Sequence, residues 1–412
     1  MLVLGLLHML LATLSQASVL PEQVHISLSG KPDEMIITWL TLEKLSKNYP
    51  FVSYGTNPGQ LIMTAKATTT EWKHKIKRYT HRTTLKHLEP GVKYYYNVGS
   101  SEGVSNVFWF TQPDQYKPLR AAVFGDLSVL NGYSIEPLIA ATHNNEIDIA
   151  IHIGDIAYNL HTNNGTLGDE YMKTIEPIAA YIPYMVFPGN HETKKDFIEI
   201  INRFTMPKNG VYDNNLFWSF DYGNTHFVGL NSEYYAEQLE DEANAQYKWL
   251  KNDLEKNKSR WTIVMLHRPM YCSSETEDGC NDPQDTLARD GDKHFPGLEK
   301  LLNEHHVDMI LYGHKHTYER MWPIYKGTAF KSENPNHIRN PSAPVFILTG
   351  SAGCHSHSGP QDSIPQDFSI TRLGNYGYSL LQIHNSTHIS TQFVDTSENI
   401  GKHLDEFYLE KN

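Results

Sequence analysis

The stretch Gly154-Asp155-Ile156-Ala157-Tyr158 constrains the fold of this chain more than any other. It follows an apolar, β-branched run, residues 147–153, of the kind typical of a buried parallel strand. Gly154 allows a sharp turn there, so Asp155 and Tyr158 are expected at the carboxyl edge of a sheet, where open α/β sheets place ligands. A carboxylate and a phenol are hard oxygen donors that suit a ferric ion. The alternative is an ordinary Gly-Asp turn with a packed tyrosine.

Four further polar motifs each follow an apolar run in the same way. They are Gly125-Asp126, Gly189-Asn190-His191-Glu192, His267 and Gly313-His314-Lys315-His316. Any one of them could be a polar residue that caps a strand. Five motifs of metal-ligand residue types at strand ends are hard to explain by packing, because such ends meet at one edge of a sheet. The sequence therefore predicts a metal centre at that edge.

The hydrophobic pattern divides the chain into two parts. Residues 19–113 contain short strand-like segments between turns, which predicts an all-β sandwich, and the tyrosines after Pro90-Gly91 resemble the tyrosine corner of such folds. Strand and helix patterns alternate after residue 118, which predicts a mixed α/β sheet with helices on both faces. We expect helices at 135–144, 245–255 and 298–305. Residues 345–408 return to strand patterning and are expected to complete the same α/β sandwich.

The charge of the chain limits its partners. A formal net charge of −12 argues against nucleic acid or an anionic membrane as the main partner, because both favour basic surfaces. A negative protein can still bind phosphate where metal ions set the local field. The 22 histidines are more than cores usually need and hint at metal.

The first 17 residues are typical of a secretory signal peptide. An apolar stretch from Leu2 to Leu14 is followed by Ser15-Gln16-Ala17, small residues at the spacing of a cleavage site, although no Lys or Arg precedes it. An uncleaved anchor is the alternative, but about 13 residues are short for a membrane span. We therefore expect a secreted or lysosomal protein without a transmembrane anchor in the mature chain.

Two kinds of modification become relevant on the secretory route. Asn164, Asn257 and Asn385 each begin a glycosylation sequon, a pattern that also occurs by chance. Cys272 and Cys280 lie close together in a polar segment and could form a local disulfide, which would leave Cys354 over.

The order and spacing of the five motifs resemble those of the purple acid phosphatases, within the wider calcineurin-like metallophosphoesterases. The resemblance covers nearly the whole chain after residues 1–17. It implies an N-terminal β-sandwich of the fibronectin type III-like kind, residues 19–113. It also implies an α/β metallophosphoesterase sandwich with mixed sheets, residues 118–412.

The same resemblance implies which residues hold two metal ions. Those that resemble the ligands of the ferric ion are Asp126, Asp155, Tyr158 and His316, and those that resemble the ligands of a divalent ion are Asn190, His267 and His314, with Asp155 bridging both. Carboxylate and phenolate oxygens favour Fe(III), whereas amide oxygen and imidazoles suit Zn(II), Fe(II) or Mn(II).

The function that the resemblance implies is acid phosphatase hydrolysis of phosphate monoesters, in which metal-bound hydroxide attacks phosphorus directly. His191 resembles the family's histidine that contacts phosphate and protonates the leaving oxygen. Its alternative role is to orient the neighbouring ligand Asn190. A mildly acidic optimum follows if His191 must be charged. The expected partners are small phosphorylated substrates, and a homodimer stays open.

Two segments depart from the family pattern. Ser128 stands where the wider class has a histidine ligand and the purple family a glycine, so that Tyr158 supplies the missing donor. Residues 273–278, a Ser-, Thr- and acid-rich run, stand where plant members carry a histidine pair, which leaves the leaving-group acid open. A homodinuclear metallophosphodiesterase and a catalytically weak secreted binding protein are the alternatives. The complete ligand set argues against the second.

Overall fold

The structure is a computed structural model that describes residues 19–46, 49–73, 75–273, 280, 282–354 and 365–412. The predicted signal peptide, residues 1–17, and the acidic positions within 274–279 lie outside the described residues. In the part of the chain that is described, no helix is both long and apolar enough to cross a membrane.

In the N-terminal domain the described residues form nine strands in two antiparallel sheets. They are β1 (Glu22–Ser27), β2 (Met35–Thr41), β3 (Phe51–Gly55), β4 (Met63–Lys66), β5 (Thr68–Glu71), β6 (Tyr79–Leu85), β7 (Lys93–Ser100), β8 (Gly103–Val104) and β9 (Phe108–Thr111). One sheet has the order β1-β2-β6-β5, and the other has the order β4-β3-β7-β8 with β9 beside β7. The Tyr94 hydroxyl accepts a hydrogen bond from the Glu89 amide at 3.0 Å, as a tyrosine corner requires.

The described residues of the second domain form seventeen strands and seven helices. The strands are β10 (Leu119–Phe124), β11 (Leu127–Ser128), β12 (Ile149–His152), β13 (Ile156–Ala157), β14 (Tyr184–Val186), β15 (Trp218–Tyr222), β16 (Thr225–Gly229), β17 (Trp261–Met265), β18 (Met309–Tyr312), β19 (Tyr318–Tyr325), β20 (Thr328–Ala329), β21 (His337–Arg339), β22 (Val345–Thr349), β23 (Ser369–Leu373), β24 (Gly377–Ile383), β25 (His388–Asp395) and β26 (His403–Glu410). The helices are α1 (Ile135–His143), α2 (Thr162–Ala179), α3 (Lys194–Arg203), α4 (Glu233–Ala236), α5 (Glu240–Lys256), α6 (Pro283–Asp290) and α7 (Leu298–Glu304), and a 3₁₀ turn covers Asn190–Glu192.

Two mixed sheets form the frame of this domain. The first has the order β14-β12-β10-β24-β25-β26-β21, and β10, β12 and β14 are parallel. The second has the order β15-β16-β17-β18-β22-β19-β20 with β23 beside β19, and β16, β17, β18 and β22 are parallel. Strands from residues 345–408 enter both sheets. The predicted order of an all-β domain followed by an α/β domain with mixed sheets is confirmed.

The central strand β12 shows why the motif stretch takes its position. All four of its residues are buried, because β10 and β14 flank it on either side. His152 in this strand is a core residue: burial lowers its pKa to about 3, and its Nδ1 lies 3.0 Å from the Tyr184 hydroxyl. The strand ends at His152, and Gly154, two residues further on, has a φ of +89° and makes the turn that the sequence predicts.

A buried group of charges joins the two domains. It consists of Arg78 from the N-terminal domain and Asp169, Glu199 and Arg203 from α2 and α3. Arg78 Nε donates to Asp169 Oδ1 at 2.8 Å, and Arg203 Nη1 donates to the same oxygen at 3.0 Å. The Trp72 ring lies 5.3 Å from the Arg78 guanidinium carbon and 4.8 Å from that of Arg203. We call these five residues the interdomain cluster.

Candidate metal centre and active site

The five polar motifs meet in one place at the carboxyl ends of five strands. Asp126 follows β10, Asp155 and Tyr158 follow β12, Asn190 and His191 follow β14, His267 follows β17, and His314 and His316 follow β18. The first three strands belong to the first sheet and the other two to the second. The seven predicted ligands and His191 therefore reach a common site from both sheets.

Two of the predicted ligands, Asp126 and His316, lie around the phenol oxygen of a third, Tyr158. This oxygen lies 2.9 Å from Asp126 Oδ1 and 2.9 Å from His316 Nε2, and the latter two atoms are 3.3 Å apart. We call Asp126, Tyr158 and His316 the Tyr158 group. Donor atoms about 3 Å apart fit neighbouring ligands of one ion with bonds of about 2 Å.

Two other predicted ligands, His267 and His314, lie around the side-chain oxygen of Asn190. This Oδ1 lies 2.9 Å from His314 Nδ1 and 3.1 Å from His267 Nε2. We call Asn190, His267 and His314 the Asn190 group. His267 Nδ1 donates to the Ile153 carbonyl oxygen at 2.9 Å, which leaves its Nε2 free to bind a metal.

Asp155 connects the two groups. Its Oδ2 lies 3.3 Å from His267 Nε2, and donor atoms of Asp155, His267 and His314 all lie within 4.8 Å of one another. Burial raises the pKa of Tyr158 well above its ordinary value, and the charges of Asp126 and then Asp155 raise it further. Asp155 therefore lies beside the Asn190 group, and its charge also acts on the phenol of the Tyr158 group.

The backbone at the strand ends is shaped to bring these donors together. Asp126, Asp155 and His314 each follow a glycine and have φ values of +65°, +55° and +72°. Such conformations are rare outside glycine and concentrate at functional sites. A Cβ on Gly313 would lie 2.6 Å from Asp126 Oδ2, so only a residue without a side chain allows this approach.

Glu192 links two of the motif loops by hydrogen bonds to their backbone amides. Its carboxylate accepts hydrogen bonds from the backbone amides of Asp155, Ile156 and Gly189, each at 2.9 Å. The loop after β12 and the loop after β14 are therefore held in one arrangement. The sequence analysis assigned no role to this residue.

Positive charge is needed to balance the buried acids of the site. Burial lowers the pKa of His267, but Asp155 outweighs burial and raises this pKa to about 10. Burial also lowers the pKa of His316, but the hydrogen bond to Asp126 is the main interaction that outweighs burial and raises this pKa to about 11. Protons on these imidazoles thus compensate the carboxylates. Metal cations would replace such protons, and the donor set therefore fits a pair of metal ions.

His191 lies at the open side of the site. Its backbone amide donates to Asp155 Oδ1 at 3.0 Å, and its Nε2 is 3.8 Å from Asp155 Oδ2. The ring is 30% exposed and lies against the Tyr158 ring, with centroids 4.4 Å apart. Nδ1 is hydrogen-bonded to the Asn159 side-chain oxygen. No local sequence pattern marks Asn159 for this contact, because the two residues are 32 positions apart.

Ser128 contacts the backbone around the site. Its hydroxyl donates to the Ala157 carbonyl at 3.4 Å and accepts from the Leu130 amide at 3.2 Å. The side chain is buried. The hydroxyl thus links the segment after β11 to β13.

Two of the cysteines form a disulfide, and the third lies beside a predicted ligand. Cys272 and Cys280 are bonded, with Cα atoms 5.4 Å apart. Cys354 is buried, and its Sγ lies 3.2 Å from His316 Nδ1.

The three sequons differ in accessibility. Asn164 and Asn385 are exposed, and Asn385 Oδ1 accepts from the hydroxyl of Thr387 at 2.9 Å. Asn257 is half-buried, and its Nδ2 donates to Thr262 Oγ1 at 2.8 Å. An attached glycan would require this nitrogen, so Asn257 is the least favourable of the three positions.

Comparison with known proteins agrees with this geometry. The family model described as calcineurin-like phosphoesterase matches residues 119–318, which include all the predicted metal ligands. Two flanking models match residues 21–112, described as purple acid phosphatase N-terminal domain, and residues 343–406, described as iron/zinc purple acid phosphatase-like protein C. The fold and the site thus define a metallophosphoesterase.

The relatives narrow this class to one family. Acid phosphatase type 7 of Homo sapiens is 37% identical over 96% of this chain and 92% of its own length. Purple acid phosphatase 18 of Arabidopsis thaliana is 30% identical over 96% of this chain and 85% of its own. The solved structure of purple acid phosphatase PPD1 from yellow lupin, at 22% identity, aligns with a TM-score of 0.79 over 95% of this chain and 74% of that chain. The chain belongs to the purple acid phosphatase family, and its enzymatic class is that of a phosphatase.

Proposed function

We propose that this protein is an acid phosphatase that hydrolyses phosphate monoesters at a dinuclear Fe(III)–M(II) centre. The observation that carries the proposal is the phenol oxygen of Tyr158, 2.9 Å from donors of both Asp126 and His316. A phenolate with a carboxylate and an imidazole forms a hard ligand set, which favours a ferric ion.

The two ligand groups would hold different ions. The Tyr158 group with Asp155 would bind Fe(III), and the Asn190 group with Asp155 would bind Zn(II), Fe(II) or Mn(II). Burial, and then the positive charges of His267, Arg268 and Lys315, lower the pKa of His314 well below its ordinary value, so this imidazole is neutral as a ligand must be. When bound, the two ions supply an activated water nucleophile and neutralise charge on the phosphoryl oxygens.

His191 would act on the substrate itself. Its ring is 30% exposed and its Nε2 lies 3.8 Å from Asp155 Oδ2, while its Nδ1 is occupied by Asn159 and its backbone amide by Asp155. These contacts position the ring to bind a phosphoryl oxygen and to donate a proton to the leaving-group oxygen. An acid in this role must carry its proton, which favours an acidic optimum.

The cellular setting follows from the sequence features. We expect passage through the secretory route to a secreted or lysosomal location, with small phosphoesters as substrates. Glycans on Asn164 and Asn385 are part of the proposal because both side chains are exposed. The names of the relatives, which are acid phosphatases, support the acidic setting.

A visible absorption spectrum with metal analysis tests the function directly. We expect iron plus one divalent ion per chain and a purple band that Tyr158→Phe abolishes, because the band requires a phenolate on iron. Tyr133→Phe is the matched control, since this half-exposed phenol is outside the predicted ligand set, and it should keep the band.

Two results would contradict the proposal. A colourless protein with two zinc or two manganese ions would favour the homodinuclear phosphodiesterase. A colourless protein that resists reconstitution with iron would favour the non-catalytic binding protein.

A further inference from the structure

Four buried charges lie behind the Asn190 group and outside the predicted ligand set. They are Glu233, Arg268, Asp285 and Lys315, with exposed fractions of 0%, 7%, 1% and 4%. We call them the charge quartet. Burial of four ionised side chains is costly unless each is paired, so their arrangement calls for a reason.

Within the quartet, Asp285 is shared by both cations. Arg268 Nη1 lies 2.7 Å from Asp285 Oδ1, and Lys315 Nζ lies 3.2 Å from Asp285 Oδ2. Glu233 completes the set through Arg268 Nε at 2.8 Å. Two acids and two cations thus balance one another.

Two residues of the charge quartet are adjacent in sequence to predicted metal ligands. Arg268 directly follows His267, and Lys315 directly follows His314. Asp285 comes from α6, which begins just after the Cys272–Cys280 disulfide. Asp282 caps this helix by accepting from the Gln284 amide at 2.8 Å. The helix therefore presents Asp285 from a fixed position.

The His314 ring lies between the Asn190 group and the quartet. Its Nδ1 faces Asn190 Oδ1 at 2.9 Å, and its Nε2 faces Asp285 Oδ1 at 3.5 Å. The nitrogen that does not bind the metal in a ligating histidine is commonly held by a carboxylate, which sets both tautomer and orientation. Asp285 occupies the place of that carboxylate.

We propose that Asp285 is a positioning residue for the divalent ion: it holds His314 Nε2 so that the Nδ1 lone pair points at the site. The inference rests on the proposed function, because it requires an ion at the Asn190 group. Within the charge quartet Asp285 balances Lys315 and shares Arg268 with Glu233, so loss of its charge also leaves one excess positive charge beside the site. Both effects weaken divalent binding. The contacts of Asp285 lie on the Asn190 side, so iron bound at the Tyr158 group is retained.

Asp285→Asn in the full chain tests this, with zinc as the probe. Iron and zinc are counted separately after equilibration in zinc-buffered chelator, and the iron band is recorded on the same samples. We expect zinc affinity to fall about 10–100-fold while iron and colour persist, the effect typical of losing such an orienting partner. Turnover lost at limiting zinc should return with excess zinc. The matched control Asp290→Asn, from the exposed side of the same helix, should bind zinc like the wild type.

Three outcomes decide the question. Unchanged zinc affinity in Asp285→Asn would overturn the inference, and loss of iron and zinc together with a lower Tm would show a general structural role instead. If the single variant does not fold, the charge-balanced variant Asp285→Asn with Lys315→Met must show the same selective zinc loss. If the wild-type protein binds no metal, the proposed function itself is wrong. If the wild type binds both ions and Asp285→Asn keeps its zinc affinity, only the inference about Asp285 is wrong.

Discussion

At the scale of single residues, Asp155 shows how one carboxylate serves several roles. One of its oxygens accepts the amide of His191, and the other lies near His267 Nε2. Burial raises the pKa of Asp155, but the charge and hydrogen bond of His267, and then the charge of His191, outweigh burial and lower it. The carboxylate is therefore ionised across the pH range in which the enzyme is expected to work.

Replacement of His191 separates catalysis from metal binding. We expect His191→Ala to lower kcat by about 100-fold or more, because general acid catalysis contributes about 10²–10⁴-fold. Metal content should stay unchanged, since the contact with Asp155 is made by the backbone amide. Steady-state kinetics and metal analysis on the same samples measure both quantities.

The control for this variant is His87→Ala, which removes an exposed histidine of the N-terminal domain. It should leave kcat within about twofold, as surface substitutions away from a site usually do. Turnover of His191→Ala equal to wild type across acidic pH would show that the catalytic assignment is wrong.

Some residues of the site could be predicted from the sequence, and others could not. Asp126 and His316 stand out because each follows a recognisable strand, and a strand end fixes where its next side chain lies. Glu192 and Asn159 could not be assigned in this way. Their roles depend on contacts with segments more than 30 residues away in the chain, which no local pattern encodes.

At the scale of elements, regular apolar patterns predicted boundaries well. The helix expected at 135–144 is α1, and the helix expected at 298–305 is α7. Helix α5 begins earlier than expected, because its first turn is acidic and lacks the apolar period that marks the rest. Helix α2 was not expected: Asn163, Asn164 and Gly165 have left-handed backbone at its start, and Pro177 lies near its end.

One histidine connects three elements and makes their packing depend on pH. His226 in β16 lies 2.7 Å from Asp221 in β15 and 3.0 Å from Asp253 in α5. Burial lowers the pKa of His226, but these hydrogen bonds outweigh burial and raise it to about 9. The folded state therefore holds this proton more tightly than the unfolded state. The resulting stability is fully present below about pH 6.5 and is lost as the pH rises through about 9.

His226→Gln tests this linkage. We expect wild type to exceed the variant in free energy of unfolding by about 1–3 kcal/mol at pH 6, since the exposure of Asp221 screens part of the pair, and by much less at pH 10. Denaturant titrations at both pH values measure the difference. His294→Gln removes an exposed histidine near Glu240 and should show little of this change. A difference that is equal at pH 6 and pH 10 would contradict the linkage.

At the scale of the whole molecule, the interdomain cluster sets how the two domains meet. Asp169 accepts hydrogen bonds from Arg78 of one domain and Arg203 of the other. Nothing in the sequence around these residues marks them as partners, because the pairing crosses more than 90 positions. The two-domain order was predictable from patterning, and the contact between the domains was not.

Asp169→Asn measures the strength of this contact. We expect a loss of about 3–5 kcal/mol in the free energy of unfolding, because two buried arginines lose their shared acid. Asp213→Asn is the control: its pair with Lys208 is exposed, and such pairs contribute about 1 kcal/mol or less. Chemical denaturation of both variants gives the comparison. An Asp169→Asn protein within about 1 kcal/mol of wild type would show that the cluster does not hold the domains together.

The division of ligands between the two sheets has a consequence for the maturation of the protein. The Tyr158 group takes Asp126 and Tyr158 from the first sheet and His316 from the second, and the Asn190 group takes Asn190 from the first and His267 and His314 from the second. Either ion would thus be bound by residues of both sheets and would link the two sheets. Because the donors run from residue 126 to residue 316, neither ion can be loaded correctly until both sheets have assembled. Colour in a freshly synthesised sample would then report the completion of folding.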